Sequence, residues 1–344
     1  MERLNQAGAE GYQLISATGS YPIFAIAKLD QIQHEYAWFE TTSRFFFRKN
    51  DFEEKYAKLS KQGFSMADHL FIGKFCDSDP PVSYNEHGAV FDDRPENCND
   101  IDLYLVERLK NIESPKQYRV ARHSPSWKAR TSDASLTEQL NDYFAAGFSP
   151  TQAFSRFEIL LQQVTDEEKL AVGKLEWQVV TSPSLGNDEL RKKVNEGAQQ
   201  GYRLNLTQNG VAVLSRFRDS ISPTTYVWLD VTKKTFLAEL AQLQSKGAIY
   251  QMTYPLADGD EYVLIFELPV VNAGKLREYK TLKFELKTVE NAAEKKMDIN
   301  LTPSSKEAIK TLNSLANEGF EVRDLFVSDK VGTSTVNVLF ERVR

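Results

Sequence analysis

The sequence predicts an α+β fold of about six tandem β-α-β-β units, each a small antiparallel sheet covered by one helix. Three observations predict it. A helix-like stretch that ends in Gly occurs six times, and a strand-like phrase with an aromatic ring precedes five of these helices. The composition, with 41% hydrophobic and 26% charged residues, is typical of an ordinary globular protein.

The helices are predicted from apolar residues placed four and seven positions before each Gly, because that spacing lies on one helix face. The glycines are Gly11, Gly63, Gly147, Gly201, Gly247 and Gly319, and all but Gly247 are followed by Tyr or Phe. The residue just past a last helical turn often takes the left-handed conformation, which Gly adopts without a side-chain penalty. Each Gly is therefore predicted to end a helix.

The strands are predicted from alternating apolar residues. The five opening strands begin with a polar residue and an aromatic ring, at Glu35-Tyr36, Gln117-Tyr118, Glu176-Trp177, Thr225-Tyr226 and Glu278-Tyr279. Two further strand-like runs follow each Gly. The predicted units are residues 1–31, 34–111, 116–164, 175–219, 224–270 and 277–344.

The first unit begins at its helix, and no opening strand precedes Leu4. Either the sequence starts within a repeat, which we favour, or a neighbouring chain supplies the strand by edge addition. Under both interpretations the open sheet edge of this unit is a candidate site of oligomer formation.

The unit resembles small bacterial strand-helix-strand-strand domains of unknown function, whose helices end in a Leu-Asn phrase followed by Gly and an aromatic residue. Leu4-Asn5 before Gly11-Tyr12 and Leu312-Asn313 before Gly319-Phe320 carry the resemblance. The resemblance implies the fold of each unit and a bacterial source, but the motif consists of fold-determining residues and implies no active site.

Both cysteines fall in unit 2, at the two ends of a long hairpin connection. Cys76 closes one strand, Cys98 precedes the next, and 21 residues (77–97) separate them. We predict a disulfide between them, which would indicate an oxidising compartment such as the periplasm or the exterior. The alternative is a pair of free thiols in a cytoplasmic protein.

The connection between the cysteines is acidic, contains Pro and is long, as recognition loops on rigid scaffolds often are. Its candidate binding residues are Tyr84, Glu86, His87, Asp92, Asp93 and Arg94. A tolerated insertion without a role is the alternative. His87, Asp92 and Asp93 lack the ligand spacing of a known metal site, so we expect neither a metal nor another cofactor.

Two aromatic pairs, Tyr36 with Trp38 and Tyr226 with Trp228, lie two residues apart on predicted strands and therefore on one sheet face. We expect them to pack beneath the helix of their own unit. If that face were open, the rings would be candidates for binding a sugar, a base or a peptide.

No recognisable catalytic motif is present. The four His are scattered, and neither a nucleophile phrase nor a phosphate-binding Gly loop occurs. The net charge of -6 argues against nucleic acid as a partner, and no apolar run reaches membrane-spanning length.

We therefore predict a non-enzymatic repeat protein of the bacterial envelope or exterior that binds a protein or a small ligand. The alternatives are a hydrolase-type enzyme with a site assembled between repeats, and a cytoplasmic scaffold.

Overall fold

The computed structural model describes residues 1–18, 23–28, 32–44, 47–48, 51–76, 82–85, 88–91, 98–110, 115–122, 133–155, 158–164, 174–182, 187–208, 210–218, 221–255, 262–269, 277–291, 296–301, 303–330 and 333–344. The helices described there are α1 (Glu2–Ala9), α2 (Asp51–Lys61), α3 (Asp133–Ala145), α4 (Asn187–Gln199), α5 (Phe236–Ser245) and α6 (Pro303–Asn317). The strands are β1 (Tyr12–Thr18), β2 (Ile23–Lys28), β3 (His34–Arg44), β4 (Phe47–Arg48), β5 (Ser65–Cys76), β6 (Val82–Asn85), β7 (Gly88–Phe91), β8 (Cys98–Leu109), β9 (Tyr118–Arg122), β10 (Phe148–Ser155), β11 (Glu158–Gln163), β12 (Leu175–Thr181), β13 (Arg203–Gln208), β14 (Val211–Phe217), β15 (Thr225–Asp230), β16 (Ile249–Pro255), β17 (Tyr262–Leu268), β18 (Arg277–Asn291), β19 (Lys296–Leu301), β20 (Glu321–Lys330) and β21 (Thr333–Val343).

The six glycines predicted to end helices all do so. Their φ angles are 86° at Gly11, 88° at Gly63, 85° at Gly147, 88° at Gly201, 70° at Gly247 and 84° at Gly319. A side chain is strained in this left-handed region, which explains why Gly recurs there. The α+β prediction of tandem units, each a small antiparallel sheet beside one helix, is confirmed.

Each complete unit has the same sheet order, with its last strand in the centre between the opening strand and the middle strand. The third to fifth sheets have the orders β9-β11-β10, β12-β14-β13 and β15-β17-β16. The sheets β4-β3-β8-β5 and β19-β18-β21-β20 add one edge strand beside the opening strand. Among the described residues the first sheet contains only β1 and β2. No described strand pairs with the edge of β2 that an opening strand would occupy.

Every middle strand carries a β-bulge at the same place, between the third and the fifth residue after the helix-ending Gly. The register shifts at Leu14/Ser16, Met66/Asp68, Pro150/Gln152, Leu204/Leu206, Tyr250/Met252 and Val322/Asp324. A bulge interrupts the ladder and leaves backbone groups without their strand partners. A backbone N–H at the bulge therefore needs a partner outside the ladder, which for Met66 is the Tyr56 hydroxyl of the same unit at 3.1 Å.

The chain forms two compact bodies, residues 1–116 and residues 117–344. Within each body, the hydrophobic cores combine residues of successive units. One core joins Val194, Leu204 and Leu214 of the fourth unit to Tyr226 and Trp228 of the fifth. Burial of these apolar surfaces stabilises the junction as well as the unit, because neither unit completes this core alone.

The helices explain the shared cores. Besides its own sheet, a helix packs against the opening strand of the following unit: α1 on β3, α3 on β12, α4 on β15 and α5 on β18. The prediction that Tyr36 with Trp38 and Tyr226 with Trp228 pack beneath the helix of their own unit is therefore wrong. The Tyr36 and Tyr226 rings lie between the preceding helix and the preceding bulge.

Candidate docking surface

An Asn on the helix clamps the opening strand of the next unit. Asn5, Asn141 and Asn195 each stand six residues before the Gly that ends their helix. The amide of Asn5 donates to the Tyr36 carbonyl at 3.0 Å and accepts from the Tyr36 N–H at 2.7 Å. The same two bonds join Asn141 to Trp177, both at 3.2 Å, and Asn195 to Tyr226, at 3.1 and 2.8 Å.

The clamp provides hydrogen-bond partners for backbone groups at the edge of a sheet. In an antiparallel ladder, successive residues direct their N–H and C=O groups to opposite sides, so half of these groups on an edge strand lack a partner. The amide side chain offers one donor and one acceptor and therefore replaces one residue of a neighbouring strand. At the next junction, where Ala241 holds the clamp position, Gln244 of α5 makes one such bond, accepting from the Tyr279 N–H at 3.1 Å.

The ring of the clamped residue completes the preceding unit. The hydroxyl of Tyr36 accepts from the Leu14 N–H at 2.9 Å, and that of Tyr226 accepts from the Leu204 N–H at 2.8 Å. Tyr279 accepts from the Tyr250 N–H at 2.9 Å in the same way. Leu14, Leu204 and Tyr250 begin their bulges, so the hydroxyl supplies a partner that the interrupted ladder lacks.

One junction has Trp in place of Tyr, and the bulge explains the difference. Pro150 begins the bulge of the third unit and has no N–H to donate. The clamped residue of the next unit is Trp177, whose ring stacks on Phe144 with centroids 3.9 Å apart. Without a donor at the bulge, a hydroxyl would have nothing to accept, and apolar stacking takes its place.

The clamped tyrosines are neutral over the whole physiological pH range. Burial is the main cause that raises the pKa of Tyr36 and of Tyr226 to about 12. Their hydroxyls therefore keep both a proton and an acceptor site, and the junctions hold without a titration in this range.

In α1 and α4 a small residue stands three positions before the Gly, and the opening strand runs close beside it. A Cβ on Gly8 would lie 2.4 Å from the His34 carbonyl oxygen, closer than van der Waals contact permits. In α4 this position is Ala198, whose carbonyl accepts from the Thr224 N–H at 3.1 Å. In α3 the larger Phe144 holds this position and stacks on Trp177, and Asn141 still reaches the opening strand.

The last helix has the same kinds of residue at these two positions. In the part of the chain that the structure describes, no strand covers them. Asn313 and Ala316 of α6 occupy the clamp and close-approach positions before Gly319, and both are exposed. Ile309, one turn before Asn313, is 44% exposed. We call these three residues, together with the Val322 N–H at the adjacent bulge, the α6 docking surface.

An Arg from the last strand fixes the helix end in the second, fourth and sixth units. Arg342 pairs with Glu278 across the sheet, donates to the Glu318 carbonyl at 2.8 Å and lies 4.4 Å from the centre of the Phe320 ring. Arg108 and Arg216 make the equivalent contacts. Sequence analysis missed this feature, although Glu precedes the opening aromatic in these three units alone.

A carboxylate of the last strand faces the clamped Tyr in three units, and one of the three, Glu341, is buried. Glu341 accepts from the Tyr279 hydroxyl at 3.0 Å and pairs with Arg277 and Arg323. Burial raises the pKa of Glu341, but the two guanidinium groups outweigh burial and hold that pKa below its usual value. Glu267 occupies the matching position opposite Tyr226 and pairs with Arg203 at 3.1 Å.

The third of these carboxylates, Glu107, has the imidazole of His34 beside it instead of an Arg, with 3.9 Å between Oε2 and Nδ1. Burial raises the pKa of Glu107. A groove of about 310 Å³ beside α1 is lined by His34, Glu35 and Lys110 among others. Since Glu267 and Glu341 occupy the same position at other junctions with Arg partners, we interpret Glu107 as a structural group of the repeat.

The predicted site residues are placed unequally. The register sets Cys76 opposite Cys98, and opposed residues of antiparallel strands have Cα atoms about 4.5 to 5.5 Å apart, within the range of disulfides. The disulfide itself stays a prediction. The connection between them contains the hairpin of β6 and β7, with Tyr84 opposite Ala89. Glu86, His87, Asp92, Asp93 and Arg94 lie outside the described residues.

The aromatic pairs differ in exposure. Tyr36, Tyr226 and Trp228 are buried, whereas Trp38 is 49% exposed. Arg191 of α4 lies 5.6 Å from the centre of the Trp228 ring, ten residues before Gly201. The matching residue before Gly11 is Met1, the N-cap of α1.

No helix among the described residues is both long and apolar enough to cross a bilayer, and no group of three metal-binding side chains occurs among them. The chain matches no protein-family model, no curated protein and no solved structure.

Proposed function

We propose that this protein is a non-enzymatic scaffold of the bacterial envelope or exterior, and that it binds a protein partner through its repeated units. The repeated clamp is the observation that carries the proposal. Three helices hold a strand through an Asn, a fourth does so through Gln244, and α6 presents the same residues to solvent. A device that holds strands within the chain has the chemistry needed to hold a strand of another protein.

The envelope setting is proposed from the two cysteines. Opposed cysteines at the mouth of a hairpin form a bridge where the compartment is oxidising and stay reduced in the cytoplasm. The net charge of -6 favours a protein partner over a nucleic acid.

A capture experiment tests the binding function. The immobilised full chain is exposed to an extract of the native cell envelope, and retained proteins are quantified by mass spectrometry. Two variants run in parallel: one replaces residues 77–97 with a short Gly-Ser turn, and the other carries Asn313→Ala with Ala316→Trp.

The proposal predicts an envelope protein that the wild-type chain retains and that at least one variant loses. It is wrong if nothing is enriched over a blank support, or if every retained protein binds both variants as well as the wild type.

A further inference from the structure

We infer that the α6 docking surface accepts a β-strand whose central residue is tyrosine, supplied by a β-α-β-β unit of the partner protein. This inference rests on the scaffold function proposed above and names the chemistry of the partner. The same surface on α1 and on α4 is occupied by a strand of that kind.

The clamp and the close-approach position match first. Asn313 stands six residues before Gly319, as Asn5 and Asn195 stand before Gly11 and Gly201. Ala316 is as small as Ala198, beside which the opening strand runs. Both α6 residues are exposed, so a strand reaches them without displacing any described part of the chain.

The bulge selects the residue that is clamped. Val322 begins the bulge of the sixth unit, as Leu204 does in the fourth. Unlike Pro150, Val322 has an N–H, and within the described ranges no tyrosine hydroxyl accepts it. The incoming residue is therefore tyrosine, because Phe and Trp lack an acceptor at the ring end.

Two further helix positions contact the strand, one before the clamped tyrosine and one after it. Gln199 of α4, two residues before Gly201, donates to the Thr224 carbonyl at 2.8 Å and to the Thr225 hydroxyl at 3.2 Å. Asn317 is the corresponding amide on α6 and is exposed. At the other end, Ile309 takes the place of Arg191, which covers Trp228, and therefore favours an apolar residue two positions after the tyrosine.

The chain itself contains a segment of this pattern, Thr225-Tyr226-Val227-Trp228, which serves as the probe. A fluorescein-labelled peptide of residues 221–232 is titrated with the full chain, and binding is followed by fluorescence anisotropy. The protein variants are Asn313→Ala and Ala316→Trp, and the matched control is Ser314→Ala, an exposed change on the other flank of α6. A second peptide carries Tyr226→Phe, which removes only the hydroxyl.

A neutral hydrogen bond typically changes an equilibrium by about 3- to 10-fold. We expect Asn313→Ala, which removes two bonds, to weaken peptide binding about 10-fold or more. Tyr226→Phe in the peptide should weaken it about 3- to 10-fold, Ala316→Trp should abolish it, and Ser314→Ala should leave it unchanged.

Binding that survives Asn313→Ala and Ala316→Trp would overturn the inference, because the peptide would then use another surface, such as the edge of β2. Absence of binding to the wild-type chain at millimolar concentration would overturn it too. Neither result decides the outcome of the capture experiment. A partner retained there through residues 77–97 would support the scaffold function even if this inference is wrong.

Discussion

Asn195 and Tyr226, which are 31 residues apart, form two hydrogen bonds that join a helix to the next opening strand. The Asn195 side chain thereby occupies the place of a neighbouring strand on the outer edge of β15. The Tyr226 hydroxyl then reaches back to the bulge of the preceding unit. The fourth and fifth units are thus interlocked by hydrogen bonds in both directions, and not only by apolar contact.

Two helical glycines predict unequal responses to the same substitution. Gly8→Ala should destabilise residues 1–116 by about 1–3 kcal/mol, because the new Cβ meets the rigid His34 carbonyl at 2.4 Å. Gly197→Ala should cost less, because the nearest atoms are the ends of two side chains, Gln178 at 3.0 Å and Leu214 at 3.3 Å, which shift more readily than a backbone carbonyl, and because Ala favours the helix. Urea denaturation of both variants checks this, and equal losses would refute the close approach at Gly8.

The exchange of Tyr for Trp at one junction predicts coupling between two positions. Trp177→Tyr alone should destabilise the chain, because stacking on Phe144 is reduced and Pro150 has no N–H for the new hydroxyl. Adding Pro150→Ala should restore about 0.5–1.5 kcal/mol through the new hydrogen bond. A double-mutant cycle measures this coupling, and simple additivity of the two changes would contradict the role assigned to the bulge.

Two carboxylates at matching positions predict opposite dependences on pH. The lowered pKa of Glu341 means that its contribution is present above the unfolded value of about 4.3 and is lost as the pH falls through the folded value. The raised pKa of Glu107 means that its contribution is present below about 4.3 and is lost as the pH rises through the folded value.

Relative to the wild type, Glu341→Gln should therefore lose stability as the pH rises from the folded value of Glu341 to about 4.3, while Glu107→Gln should gain stability as the pH rises from about 4.3 through the folded value of Glu107. Denaturation curves at several pH values measure both trends. Parallel trends for the two variants would show that the Arg partners of Glu341 and the burial of Glu107 do not set the difference.

The two cysteines predict a mass change. Without reductant, the intact chain should be about 2 Da lighter than after reduction, and neither thiol should react with an alkylating reagent. Closing a loop of 21 residues should stabilise the chain by about 3 kcal/mol, which Cys98→Ser would remove. Full alkylation of material purified without reductant from the periplasm would contradict both the bridge and the compartment.

Local conformational preferences allowed the repeat and its helix ends to be predicted. A left-handed helix end excludes most side chains, so Gly11, Gly63 and their counterparts mark it in the sequence itself. The clamp could not be derived in this way, because Asn5 binds a backbone 31 residues away whose position depends on the whole unit. A signal was present, since Asn recurs six residues before Gly in four of the six helices, at Asn5, Asn141, Asn195 and Asn313.

The interlock between units is tested most directly by hydrogen exchange at single amides in Asn195→Ala. In the wild type the Tyr226 N–H should exchange slowly, although it lies on the outer edge of β15, because Asn195 accepts it at 2.8 Å. In the variant it should exchange at least about 10-fold faster, while the Val227 N–H, which faces β17, should keep its protection. An unchanged rate at Tyr226 would contradict the account.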